Sequence, residues 1–78
     1  MKSNLIATRD LTLAVAKQCA ETAAEYSAEI RILYRDKGAN AKSLMGVIAL
    51  SYKKGAELIL AAEGRDAAPA MEKLKKIL

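Results

Sequence analysis

The spacing of apolar positions along this chain changes from two residues to between three and four and back again, and each change marks an element. Ser3 to Thr8 alternates, with Leu5 and Ala7 on one face and Ile6 on the other, which predicts a first strand. From Thr12 to Tyr26 the period becomes helical: Val15, Ala16, Cys19, Ala20, Ala23 and Ala24 share one broad face, while Lys17, Gln18, Glu21 and Glu25 fall elsewhere. Asp10 and Thr12 are both candidates to cap this helix. Glu29 to Arg35 alternates again, with Ile30, Ile32 and Tyr34 opposite Arg31, Leu33 and Arg35. Asp36, Lys37 and Gly38 are expected to turn the chain, Gly38 taking a positive φ, into a short strand through Ala39 to Lys42.

Ser43 to Tyr52 is predicted as a second helix, with Gly55 as its terminating residue after Lys53 and Lys54. Glu57 to Ala62 alternates Leu58, Leu60 and Ala62 against Ile59 and Ala61, a fourth strand. Asp66 opens a last helix with the stripe Met71, Leu74 and Leu78, and Pro69 is tolerated in its first turn. The order βαββαβα implies an α+β fold, an antiparallel sheet covered on one face by helices.

Composition narrows this further. Residues 1–78 are expected to form one domain around one small core, assembled from aliphatic side chains because the only aromatics are three Tyr. No apolar run is long enough to span a membrane, and Met1 to Arg9 lacks a signal-peptide core, so a soluble cytoplasmic protein is expected. The single Cys, Cys19, fits that compartment and reads as a small buried hydrophobe. No cofactor is expected, and with no His, one Cys and no clustered carboxylates no metal is expected either. Scattered charges and dispersed Tyr residues argue against direct nucleic-acid binding.

The informative segment is NAKSLMGVIALSYKKGAEL, residues 40–58. On a helix Leu44, Met45 and Ile48 share one arc while Val47 and Leu50 occupy the opposite one, so one apolar set is left outside and is a candidate partner surface. Ser43 sits at the start, where its hydroxyl can cap the amide of Met45 or Gly46. A phosphate there would be favoured by free amides and the positive end of the dipole. An acyl-carrier role for Ser43 does not fit, since Lys42 precedes it where a carrier serine follows Asp.

The strings NAKSLMGV, KGAE and EGRDAAPAMEKL resemble the HPr family of the bacterial sugar phosphotransferase system, whose regulatory serine opens a motif K-S-I/L-M-G-V. The resemblance is ungapped from Ser43 to the C-terminus and weaker upstream through Tyr34, Ile30, Tyr26 and Ala23. It implies an HPr-like open-faced β-sandwich, four antiparallel strands in the order 1-4-2-3 beneath three helices. In the same register the family's G-[IL]-H-A-R-P-A falls on residues 10–16. Thr12 stands for the phosphorylated His, Ala14 for the assisting Arg and Val15 for the Pro.

That departure is chemical. An imidazole is a nucleophile with a pKa in the working range, whereas a threonine hydroxyl without an adjacent base is not, and its phosphate ester is a poor donor. The chain is therefore expected to be no phosphohistidine carrier and no enzyme. The resemblance to His-lacking, Crh-like members implies instead a regulator phosphorylated on Ser43 by an HPr kinase/phosphorylase. Such a protein binds a transcriptional regulator or metabolic enzyme through Leu44, Met45 and Ile48. Lys42 and Asp66 match family positions near the kinase-contacting surface, and Arg9 is the candidate to supply the charge missing at Ala14. Two alternatives stay open: a degenerate HPr scaffold serving as an interaction module, and a carrier still serving sugar phosphotransfer.

Overall fold

The computed structural model describes all residues from Met1 to Leu78. Its elements follow the expected order: β1 (Lys2–Ile6), α1 (Leu13–Ala23), β2 (Glu29–Tyr34), β3 (Lys37–Asn40), α2 (Leu44–Ile48), β4 (Glu57–Glu63) and α3 (Ala67–Ile77). The strands form one antiparallel sheet in the order β1-β4-β2-β3, as the resemblance implied. Alternation decides which residues face the helices. Ile30, Ile32, Leu58, Leu60 and Ala62 are buried, while Arg31 and Ile59 lie on the open face. Val15, Ala16, Cys19 and Ala23 of α1, Val47 of α2, and Ala67, Ala70, Met71, Leu74 and Ile77 of α3 pack onto them as the helices' share of the core. No helix is long and apolar enough to cross a membrane.

Several boundaries differ from the sequence reading, each for a visible reason. Helix α1 stops at Ala23 and not at Tyr26, because Glu25 and Tyr26 donate tight bonds to the Thr22 and Ala23 carbonyls and residues 26–28 are held by distant side chains. Ala24, expected on the buried face, is exposed, and Ala20 is half-buried. Strand β1 ends at Ile6, where Ala7 leaves the ladder register to donate to the Ala56 carbonyl at 2.9 Å and accept from the Gly55 amide at 2.9 Å.

The hairpin turns earlier than expected. Tyr34 pairs with Lys37, so Arg35 and Asp36 form the loop, and Arg35, not Gly38, takes the positive φ of 56°. Gly38 is a strand residue opposite Leu33; a Cβ there would meet Arg31 Nη2 at 2.8 Å. Strand β3 accordingly covers Lys37–Asn40 and not Ala39 to Lys42.

Helix α2 is cut to five residues and does not reach Tyr52. Leu50 and Tyr52 are both buried, yet on a continuing helix they would stand roughly 200° apart, so they cannot share one inward face. The chain instead tightens through bonds from Leu50 to Val47 and from Ser51 to Ile48, and Ser51 takes a φ of 51°. Gly55 is therefore not the helix terminator; it lies in the turn before β4 with a φ of 92°.

Candidate functional site

Two helix starts carry the candidate residues. Thr12 precedes α1 in extended conformation, and its Oγ1 accepts from the Val15 amide at 3.2 Å. Its loop is fixed on several sides. Thr8 donates to the Leu78 carbonyl from both its amide (3.0 Å) and its hydroxyl (3.2 Å), Leu11 donates to the Tyr52 carbonyl at 3.1 Å, and Asp10 Oδ1 accepts from the Lys54 amide at 2.7 Å. Of the two candidate caps Thr12 is thus the one that caps α1, while Asp10 ties the loop to the turn before β4.

No basic side chain hydrogen-bonds the Thr12 hydroxyl, so nothing activates it. The buried nucleophiles nearby are no better placed. Burial pushes the Cys19 thiol up to about 11 and, with the added charge of Cys19, the Tyr52 phenol to about 12; the Arg9 cation pulls the latter back. Arg9 itself is exposed and forms no ion pair. Ala14 is exposed and Val15 buried, the latter packing α1 onto the core.

Ser43 caps α2: its Oγ accepts from the Gly46 amide at 3.2 Å, one of the two partners expected. The residue is only half-buried. Val47 and Leu50 face the core, Met45 is 77% exposed, and Leu44 and Ile48 are half-buried at the margin of the core. The inner arc therefore follows the periodicity, but of the outer arc only Met45 is left outside, because Leu44 and Ile48 pack against the edge of the core. Since α1 packs against α2, Leu13, 63% exposed at the start of α1, adds a large apolar side chain to the same helical layer. The sequence reading missed Leu13. Its position outside the arc of Val15 and Cys19 was the available signal.

Lys42 and Asp66 are placed differently from the other candidates. The Lys42 ammonium donates to the Tyr26 carbonyl at 2.7 Å. The Asp66 carboxylate accepts from the Ser27 and Ala28 amides, both at 2.9 Å, and from the Ser27 hydroxyl at 3.3 Å. The Ser27 amide, with the Ala28 amide assisting against partial desolvation, holds this carboxyl below its ordinary pKa. Both side chains are thus engaged within the chain, on the α1–β2 connection.

Comparison with known proteins adds the family. Residues 3–78 match the PTS-HPr family, described as the PTS HPr component phosphorylation site. The phosphocarrier protein HPr of Mycoplasma capricolum is 35% identical over 63 residues, covering 81% of this chain and 71% of the relative. The solved structure of a Mycoplasma histidine-containing phosphocarrier protein superposes with a TM-score of 0.91 at 32% identity, covering 99% of this chain and 90% of that one. The Bacillus subtilis catabolite-repression protein Crh, solved as a swapped dimer, gives a TM-score of 0.80 at 30% identity over 90% of this chain and 80% of its own. With its full sheet order, its helix-capping serine and a match across nearly its whole length, this chain, though it contains no histidine, belongs to the HPr family of phosphotransferase-system phosphocarrier proteins.

Proposed function

We propose that this chain is a non-catalytic regulator of the HPr family, switched by phosphorylation of Ser43. The observation that carries the reading is Ser43, a partly exposed residue at the start of α2 two positions before Met45, which is 77% exposed. A phosphate there adds about −1.5 to −2 charges and strong acceptor oxygens that a partner's Arg or Lys can bind. Met45, flanked by Leu44 and Ile48, supplies the apolar contact area, Leu13 is a further exposed apolar side chain on the neighbouring helix, and Arg9 offers an unpaired cation at the α1 end. An HPr kinase/phosphorylase is the modifying partner, and a cytoplasmic transcriptional regulator or metabolic enzyme is the target. Incubation with ATP and such a kinase is expected to add one phosphate to the chain and none to Ser43→Ala. Absence of any mass change rejects the reading.

A second reading is a scaffold that docks partners without a phosphate. It is favoured by the joint replacement of the family's His, Arg and Pro by Thr12, Ala14 and Val15 while the preceding loop stays tied to the Leu78 and Tyr52 carbonyls and the Lys54 amide. Under it, Ser43→Asp leaves partner affinity unchanged, whereas under the switch reading the affinity shifts by tenfold or more.

A further inference from the structure

We propose, on the reading that Ser43 carries a phosphate, that Lys42 is an intramolecular latch whose ammonium leaves the Tyr26 carbonyl for that phosphate and so loosens the connection between α1 and β2. In the unmodified chain the ammonium is bound to a neutral carbonyl at 2.7 Å, 16 positions away in sequence. No carboxylate competes for it, since the chain's single ion pair joins Lys73 and Glu25 at 3.8 Å. Glu29 lines the same surface depression as Lys42 without forming an ion pair with it, so a phosphate on the next residue would be the first anion paired with this ammonium. Cations prefer a dianion to a neutral carbonyl, because a charge-assisted bond adds Coulomb attraction to the same hydrogen bond.

The backbone keeps the two partners together. The Lys42 amide donates to Asn40 Oδ1 at 2.9 Å, the Ser43 amide to the Asn40 carbonyl at 2.9 Å, and Gly46 to Ser43 Oγ at 3.2 Å. Consecutive Cα atoms are about 3.8 Å apart, so only the flexible four-carbon stem of Lys42 has to turn. At the other end, Tyr26 loses its one long-range side-chain partner, while Asp66 still holds Ser27 and Ala28. The segment therefore loosens at its Tyr26 end and does not detach. A charge placed at the start of α2 is read out at the far end of α1, through a bond that the sequence alone gives no reason to expect.

The test uses the full chain with phosphoserine installed at position 43 by chemical synthesis, so that no kinase is involved and the kinase experiment above can fail independently. Amide hydrogen exchange over residues 24–28 is compared in four chains: unmodified, phosphorylated, Lys42→Met, and Lys42→Met phosphorylated. Loss of one hydrogen bond predicts roughly fivefold faster exchange in the phosphorylated chain and in Lys42→Met, with no further gain when the two are combined. The ammonium nitrogen resonance of Lys42 is expected to move on phosphorylation. Unchanged exchange in the phosphorylated chain, unchanged exchange in Lys42→Met, or a stationary ammonium resonance each overturns the latch.

Discussion

Lys42 and Asp66 grip one short segment by opposite polarities: the ammonium takes the carbonyl of Tyr26, and the carboxylate takes the amides of Ser27 and Ala28. The segment 26–28 closes α1 and starts β2, so these two side chains decide where the first helix stops and in what register the central strand begins.

Asp66 makes the fold acid-sensitive. Its carboxyl pKa is lowered in the folded state from an ordinary 3.8, so the unfolded chain binds a proton first as pH falls. The stabilisation is complete above pH 3.8 and is lost as pH drops through the folded value. Asp66→Asn is expected to be less stable at neutral pH and to lose less of its remaining stability on acidification. Urea midpoints from pH 7 downward check this, and parallel curves for both proteins count against it.

Gly64 allows the same contact. It holds a φ of 139°, and a Cβ would sit 2.8 Å from Ala28 Cα. Gly64→Ala is therefore expected to lose about 1–3 kcal/mol and to unfold at a clearly lower temperature.

The caps at Thr12 and Ser43 allow stability to be tested apart from the proposed switch. Thr12→Ala and Ser43→Ala are each expected to cost about 1 kcal/mol, or roughly 4–8 °C in Tm for a domain of this size. Under the switch reading, only Ser43→Ala is expected to abolish phosphorylation. Ser43→Asp retains a good capping side chain, so its melting temperature is expected to stay near that of the unaltered chain.

Tyr52 is buried, and its hydroxyl has no hydrogen-bond partner. Tyr52→Phe removes an unsatisfied group and is expected to leave stability unchanged or raise it by up to about 1 kcal/mol. The phenol's pKa is raised from 10.0 to about 12, so the folded chain keeps this proton longer than the unfolded one. Stability from the neutral phenol is therefore full below pH 10.0 and lost as pH rises through about 12. Denaturation midpoints across that window should fall less steeply for Tyr52→Phe.

Thr12→His combined with Ala14→Arg tests the loss of carrier chemistry. The frame around position 12 is intact, so the doubly substituted chain is expected to accept a phosphoryl group from phosphoenolpyruvate and the general phosphotransferase of the system. The unaltered chain is expected to accept none. Acid-labile phosphate measured by mass spectrometry distinguishes them.

The sequence by itself determined the element order, the inward faces of β2 and β4, the cap at Ser43 and the division between Met45 outside and Val47 inside. Each of these follows from side-chain period or from contacts within one turn of helix. The sequence also excluded histidine chemistry outright, because the residue is absent. Only the tertiary structure decided that α1 stops at Ala23, since the groups holding the next residues are 16 to 39 positions distant. Likewise α2 ends early because Tyr52 must turn into a core built by other elements, and the hairpin bends at Arg35 because pairing with Leu33 keeps Gly38 in the strand. Lys42 and Asp66 looked like surface residues for the same reason: the backbone groups they satisfy belong to a segment that no local window contains.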